Sequence, residues 1–380
     1  MSRPNIPTTL AAVLHGPRDL RIESHILPPP APTELQIAIR TTTLCGSDLH
    51  YYHDYRNGDI EITSPLPLGH ESAGVVIAAG ARAAALGWRA GDRVALEVGL
   101  PCGACARCVD GRYNLCGTLR FRGSAKAVPH LWGTLQLHLN HPARWCHRLP
   151  EHVSLRAGAL AEPLAVALHA VVRRARVAPG ATVMVLGAGP VGLLVAACAE
   201  LAGATRVLVH DADVGRVRFA RAGAWATHTT VALPRALDAV AERLEAARMA
   251  AATALTVMEC PGGVDFVFEC TGAESCAQMG IYAARAGGAL VLIGMGTPVM
   301  TLPISAAALR EVDIIGGFRY ANSYPLAIEL LASGRLDTKK IESLVTQSFA
   351  GIDQVDQAFQ MASSPADVDG EPVIKVEVCF

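Results

Sequence analysis

Residues Thr182–Gly203 read TVMVLGAGPVGLLVAACAELAG. The stretch starts as an apolar strand-like run, Val183–Leu186. It breaks at Gly187-Ala188-Gly189-Pro190-Val191-Gly192 and resumes as an Ala/Leu-rich helical pattern that Gly203 ends. A G-x-G-x-x-G pattern alone is weak evidence, since any α/β turn can be glycine-rich. Here it follows a strand and opens a helix. The next strand-like run, TRVLVHD, ends at Asp211, about twenty residues on, the spacing of a dinucleotide-binding βαβ unit. The glycines make a tight turn and let the backbone approach a pyrophosphate at the positive helix N-terminus. Asp211 would accept hydrogen bonds from the adenosine ribose hydroxyls. A carboxylate there repels a 2′-phosphate, so NAD is expected over NADP, and the nearby Arg216 keeps NADP open.

Working outward, VDFVFECTG (264–272) and GGALVLIGMG (287–296) repeat the strand-then-glycine pattern between helical stretches, which implies a doubly wound parallel sheet. Ala232–Ala254 reads as a helix without chemistry. The first 150 residues look different. ELQIAIRTTTLCG (34–46), GHESAGVVIAAG (69–80) and GDRVALEV (91–98) are short β-like runs broken by Gly, Pro and Asp. Beyond Gly316 come one more strand-like segment, a helix (SYPLAIELLASG, 323–334) and a last strand (VIKVEV, 373–378).

At 380 residues the chain is long enough for two or three domains at about 150 residues each. A net charge of −1 gives no footprint for nucleic acid or anionic membrane. No apolar run approaches the roughly 18 residues of a membrane span, and the N-terminus makes a poor signal peptide. A cytoplasmic protein without nucleic-acid or membrane partners is expected. The eleven cysteines, an odd number, do not suggest a disulfide framework.

Four of them crowd together as Cys102-x2-Cys105-x2-Cys108-x7-Cys116. Four thiolates so spaced suit a tetrahedral zinc, and with every ligand position filled the ion would be structural. An iron–sulfur cluster is the competing reading. A second constellation is dispersed: Cys45 in CGSDLH, His70 and Glu71 in GHESAG, and Glu162 in AEPL. Alone, each has a plainer reading as a small core residue, a satisfied histidine or a solvated charge. Together they offer thiolate, imidazole and carboxylate, the mixed set of a catalytic zinc with an open position. Ser47 and His50 beside Cys45 are candidates for a proton relay, and Glu162 for a general base. Asp48 reads equally as a carboxylate orienting His70 and as a helix cap.

The GHE motif, the four-cysteine stretch, the GAGPVG turn and their order resemble the medium-chain, zinc-dependent alcohol dehydrogenase family over nearly the whole chain. Glu162 stands where other members place a second zinc-binding Cys. With Tyr51 after His50, the run Glu269–Glu274 and REVDIIGGFRYANSYP, it makes the chain most similar to the sorbitol dehydrogenase branch and its xylitol and L-arabinitol relatives. The resemblance implies an α/β architecture: a GroES-like, β-rich catalytic domain (1–163 with 315–380) and a Rossmann domain (164–314). It implies Cys45, His70 and Glu71 as catalytic zinc ligands, with Glu162 contacting the zinc water and substrate. It implies Tyr51, Arg319 and Tyr320 as substrate contacts. Gly187, Gly189, Val191, Gly192, Asp211, Arg216, Ile293, Gly294, Met295, Gly317, Phe318 and Arg319 would meet NAD. It also implies a polyol substrate, zinc in both sites and a homotetramer. FRGSAKAVPHLWG (121–133) follows the family pattern only loosely. Two other functions stay open: a secondary-alcohol dehydrogenase or ketone reductase, and an inactive structural relative.

Overall fold

Val183, Met184, Val185 and Leu186 are all fully buried, as a strand covered on both faces requires. In the computed structural model, which describes residues 8–231 and 237–380, this strand is Thr182–Leu186. It pairs in parallel with Arg206–Asp211 on one side and Val264–Glu269 on the other. The full sheet runs His228–Val231, Arg206–Asp211, Thr182–Leu186, Val264–Glu269, Ala284–Leu292, Asp313–Gly316, all parallel. The strand order reverses on either side of Thr182–Leu186. That is the Rossmann switch point, outside whose carboxyl ends ligands bind.

Gly187 takes a φ of +108° there, and its N–H donates to the His210 carbonyl at 2.7 Å. Pro190 occupies the first turn of the helix Pro190–Leu201, where its missing N–H costs nothing. A Cβ on Gly192 would lie 1.9 Å from the Gly187 carbonyl oxygen, so the helix enters the turn too closely for any side chain.

The chain divides into two compact units. The second holds this sheet and comprises Pro163–Ser323 with Val368–Pro372. The first comprises the chain up to Glu162, Tyr324–Asp367 and Val373–Phe380. Its main sheet is largely antiparallel, in the order Cys146–Arg148, Arg93–Leu96, Glu71–Ala79, Glu34–Thr43, Lys375–Cys379, Val345–Ala350. The strand His138–Pro142 also pairs with Glu34–Thr43. That central strand sets Thr43 opposite both Glu71 and Glu377. The expected helix and last strand after Gly316 form as Tyr324–Ala332 and Lys375–Cys379. The expected Ala232–Ala254 helix is displaced: it spans Val240–Val257. Residues 232–236 lie outside the described residues, and Asp238–Ala239 precede the first turn.

Gly192→Ala forces a Cβ into backbone that has no side chain to move. Overpacking of this kind costs about 1–3 kcal/mol. We expect a lowered thermal midpoint and weakened NADH binding, read by fluorescence titration. Unchanged binding would show that the turn tolerates being opened.

Candidate functional site

The strand Glu71–Ala79 begins at one end of the first unit's sheet, and the helix Gly46–Asp54 begins next to it in space. Asp48 makes the connection. Its Oδ2 accepts the Cys45 N–H at 3.1 Å and its Oδ1 accepts the Gly69 N–H at 3.0 Å. Asp48 Oδ1 also lies 3.3 Å from His70 Nδ1, an ionic contact not aligned as a hydrogen bond. Asp48 is therefore both cap and orienting group. Burial opposes charge on both members of this pair. Their mutual attraction outweighs it, lowering the Asp48 carboxyl and raising the His70 imidazole well above its ordinary value. The other ring nitrogen, Nε2, lies 3.4 Å from Ser47 Oγ.

Cys45 Sγ, a His70 nitrogen and a Glu71 oxygen all lie within 4.8 Å of one another. Sulfur, imidazole and carboxylate at that separation, with both His70 and Glu71 buried, fit one small divalent cation. Glu162 is buried in the first turn of Ala161–Leu168 but is not one of these three mutually close donors.

A residue not anticipated from the sequence completes the arrangement. Lys375, buried on the last strand, donates to both oxygens of Glu71 at 2.8 and 2.7 Å and to the Leu44 carbonyl at 3.0 Å. The Thr43 hydroxyl donates to Glu71 as well. Burial pulls the ammonium pKa down, but Glu71, Cys45 and Glu162 together raise it above its usual value, so Lys375 stays charged. One signal was present: Lys375 and Glu377 interrupt the strand-like run VIKVEV, and both are buried.

The four-cysteine stretch folds back on itself. The Cys105 and Cys108 sulfurs are 3.5 Å apart, and those of Cys102 and Cys108 are 3.8 Å apart. Zinc–sulfur bonds of about 2.3 Å in a tetrahedron put sulfurs about 3.8 Å apart. Backbone N–H groups already point at the sulfurs: Cys102 to Cys116 at 3.4 Å, Cys105 to Cys102 at 3.3 Å and Ala104 to Cys102 at 3.5 Å. Burial works against ionising Cys116. The Cys102 N–H and the Thr118 hydroxyl and N–H outweigh it, and its pKa falls to about 6. The donors fit a closed zinc site. Buried Glu97 anchors this lobe, accepting from the Tyr113 hydroxyl at 2.5 Å and lying 2.7 Å from His147 Nε2.

In the second unit, Asp211 takes the Ala188 N–H at 2.6 Å on one oxygen and the Asp213 N–H at 2.9 Å on the other. The Arg216 guanidinium reaches back to Gly189, with its buried Nε lacking a hydrogen-bond partner among the described residues. Val191, Ile293, Gly294, Gly317 and Phe318 are half-buried, and Met295 is exposed. Arg319 and Tyr320 stand on the turn after Asp313–Gly316, with Tyr320 buried. Two expected residues lie differently from a simple reading. His50 is exposed on its helix. Tyr51 is core, 2% exposed, its hydroxyl accepting the Ala125 N–H at 3.2 Å. It thereby ties down the 121–133 segment.

Residues 31–151 match the model of the alcohol dehydrogenase GroES-like domain, and residues 190–333 that of the zinc-binding dehydrogenases. The chain is 40% identical to the sorbitol dehydrogenase of Gallus gallus, over 92% of each chain. It is 37% identical to the L-idonate 5-dehydrogenase of Vitis vinifera, over 93% of this chain and 91% of that one. A crystal structure of a zinc-binding dehydrogenase from Sinorhizobium meliloti bound to NADP matches with a TM-score of 0.81 at 28% identity, covering 98% of this chain and 100% of the other. The chain belongs to the medium-chain, zinc-dependent alcohol dehydrogenase family. As a family member it is a zinc- and NAD(P)-dependent dehydrogenase with a GroES-like first part and a Rossmann second part. Among the described residues, no helix is long and apolar enough to cross a membrane.

Lys375→Met would leave Glu71 as a buried carboxylate without its cation. Removing one partner of a buried pair costs about 3–5 kcal/mol. The loss should be larger in metal-free protein than in zinc-loaded protein, because zinc supplies a counter-charge. Denaturant titration of both forms checks this, and equal, small losses would show that the pair contributes little.

Proposed function

We propose that this chain oxidises a secondary hydroxyl of a polyol to a ketone, of the sorbitol-to-fructose type, with NAD as hydride acceptor. The carrying observation is the convergence of Cys45, His70 and Glu71 on one point; the family resemblance puts buried Glu162 where other members have a further thiolate. Similarity to sorbitol dehydrogenases supports the substrate class.

Cys45, His70 and Glu71 would hold the catalytic zinc, and Cys102, Cys105, Cys108 and Cys116 the structural one. Zinc bound at the first site supplies Lewis acidity, which lowers the pKa of a substrate hydroxyl toward neutrality. Oxidation releases a hydride and a proton, and the chain's own residues carry the proton. Ser47, placed beside His70, starts one route, which exposed His50 continues toward solvent. Glu162 is the alternative acceptor, acting as general base. Arg319 and Tyr320, with Tyr51, are the proposed partners of the remaining hydroxyls. Such partners would be left unpaired by a simple alcohol, which is how this kind of site discriminates. Tyr51 spends its oxygen on Ala125 and keeps its proton for donation.

NAD is favoured because Asp211, fixed by two backbone N–H groups, presents a carboxylate where a 2′-phosphate would sit. Arg216 is the feature that would admit NADP. The proposal includes a cytoplasmic homotetramer. The end strand Asp313–Gly316 pairs on one side only among the described residues, and its Ile314 is exposed. An unpaired apolar edge is a pairing surface, and sedimentation equilibrium reads the mass directly.

The decisive assay offers sorbitol, xylitol, L-arabinitol, ribitol, L-idonate and simple secondary alcohols with NAD or NADP, alongside metal analysis. Close to two zinc per chain and one after Cys45→Ala are expected. Glu162→Ala should cut polyol turnover about 10²–10⁴-fold, the usual worth of a general base, with NADH binding unchanged. Activity on a hydrophobic secondary alcohol but on no polyol would overturn the substrate class.

A further inference from the structure

The helix that begins at Ala161 changes character at His169. His169–Ala175 is a π-helix, closed where the Arg176 N–H bonds to the Val171 carbonyl five residues back. Such segments are rare, usually brief, and concentrate at functional sites. This one alters which side chains share a face. In an α-helix, residues five apart point about 140° from one another. The i→i+5 repeat of a π-turn brings them back toward the same side.

His169 and Arg174 are five apart, and both engage one short segment. His169 Nδ1 accepts the Ala321 N–H at 3.4 Å, and Arg174 Nε donates to the Gly316 carbonyl at 3.0 Å. Gly316 and Ala321 bracket Gly317-Phe318-Arg319-Tyr320. That segment is unusual in its own backbone. Arg319 sits at φ +51° and Asn322 at φ +57°; the left-handed region is common for Asn but uncommon for Arg, so Arg319 is the position its surroundings must hold. Other holds act on the same stretch. The Gly317 N–H donates to the Leu292 carbonyl at 2.8 Å, and the Ser323 hydroxyl donates to the Ala321 carbonyl at 3.3 Å. His169, Tyr320, Ala321 and Ser323 are buried, and Gly317, Phe318 and Arg319 half-buried.

We infer that the π-turn is a clamp, in which His169 and Arg174 act as positioning residues that fix the Arg319–Tyr320 turn for polyol recognition. This rests on the proposal that Arg319 and Tyr320 meet the substrate. Neither clamp residue touches the reacting atoms. Each holds a backbone group, and the turn's left-handed residues hold their side-chain directions only while both ends are fixed. A misplacement of about 1 Å can cost 10²-fold in an oriented site, so the clamp sets specificity rather than chemistry.

The test uses the full-length, zinc-loaded enzyme with sorbitol, or with the best polyol of the panel. His169→Leu, Arg174→Ala and deletion of Val172, which converts the π-turn to α, should each raise the polyol KM about tenfold or more with kcat changed less than about threefold. Zinc content should stay as in the parent. Because Gly317, Phe318 and Arg319 are also expected cofactor contacts, NADH affinity should fall, but by less than the polyol KM rises. His169→Asn, whose Oδ1 restores an acceptor near Nδ1, should recover most of the KM, which a merely space-filling role would not produce. Arg174 is only half-buried, so Arg174→Ala carries the test if His169→Leu does not fold. Arg319→Ala separates the two readings. If it leaves the polyol KM unchanged, the assigned substrate contact is wrong. If it raises KM while a folded Arg174→Ala and His169→Leu do not, the clamp is wrong. A shift in NADH affinity without a shift in polyol KM also overturns the clamp as a specificity device.

Discussion

The interaction on which the first unit's site depends is the buried ion pair between Lys375 and Glu71. A lone carboxylate at that depth would be protonated or expelled, because desolvation of an ion costs several kcal/mol. Lys375 meets both of its oxygens, and Thr43 adds a hydroxyl. The same ammonium holds the Leu44 carbonyl, one residue before Cys45. A single cation therefore fixes two of the three candidate ligands relative to each other. It does so from the last strand of the chain, 304 residues from Glu71. The strand Lys375–Cys379 lies beside Glu34–Thr43, so closing the sheet and assembling the site are one event.

Asp48 works in the complementary direction. Its two oxygens collect N–H groups from Cys45 and Gly69 and a contact to His70. Lys375 sets the acid side of the site and Asp48 the imidazole side; Asp48 holds the Cys45 N–H and Lys375 the carbonyl of Leu44 just before it. Ligand spacing is thus imposed by the protein rather than by the ion.

The two candidate metal sites differ in how legible they were. The four-cysteine lobe is local: its donors fall within fifteen residues, and spacing alone conveys tetrahedral geometry. The Gly187–Gly192 turn is legible for the same reason, since strand, turn, helix and acid follow one another along the chain. The other site brings together Cys45, His70 and Glu71, and the gap from Cys45 to the other two carries no geometric information. Family resemblance, not periodicity, joined them. For Lys375 the local signal, a charge inside the strand-like run VIKVEV, does not name its partner, which lies 304 residues away and is set by sheet register. The π-turn was missed because HAVVRRA has an ordinary helical composition. Its two contacts, to the Gly316 carbonyl and the Ala321 N–H, lie more than 140 residues away in sequence, beyond what local propensity encodes.

Tyr51 and Asp211 show a further limit of reading roles from residue types. Each looks like a group reserved for a ligand, and each is already engaged by backbone. The Tyr51 oxygen takes the Ala125 N–H, and both Asp211 oxygens take backbone N–H groups. Neither engagement uses up the residue's capacity. A phenol that accepts still has a proton to give, and a carboxylate has about four lone-pair sites, of which two are filled. Backbone bonds of this sort hold a side chain in one orientation before any ligand arrives. A group so held loses little rotamer freedom on binding, so more of its hydrogen-bond energy remains for discrimination. In both units, then, the groups proposed for recognition are held by main chain: Tyr51 by the 121–133 segment, Asp211 by the glycine turn, and Arg319 by a turn whose own backbone is pinned at Gly316 and Ala321.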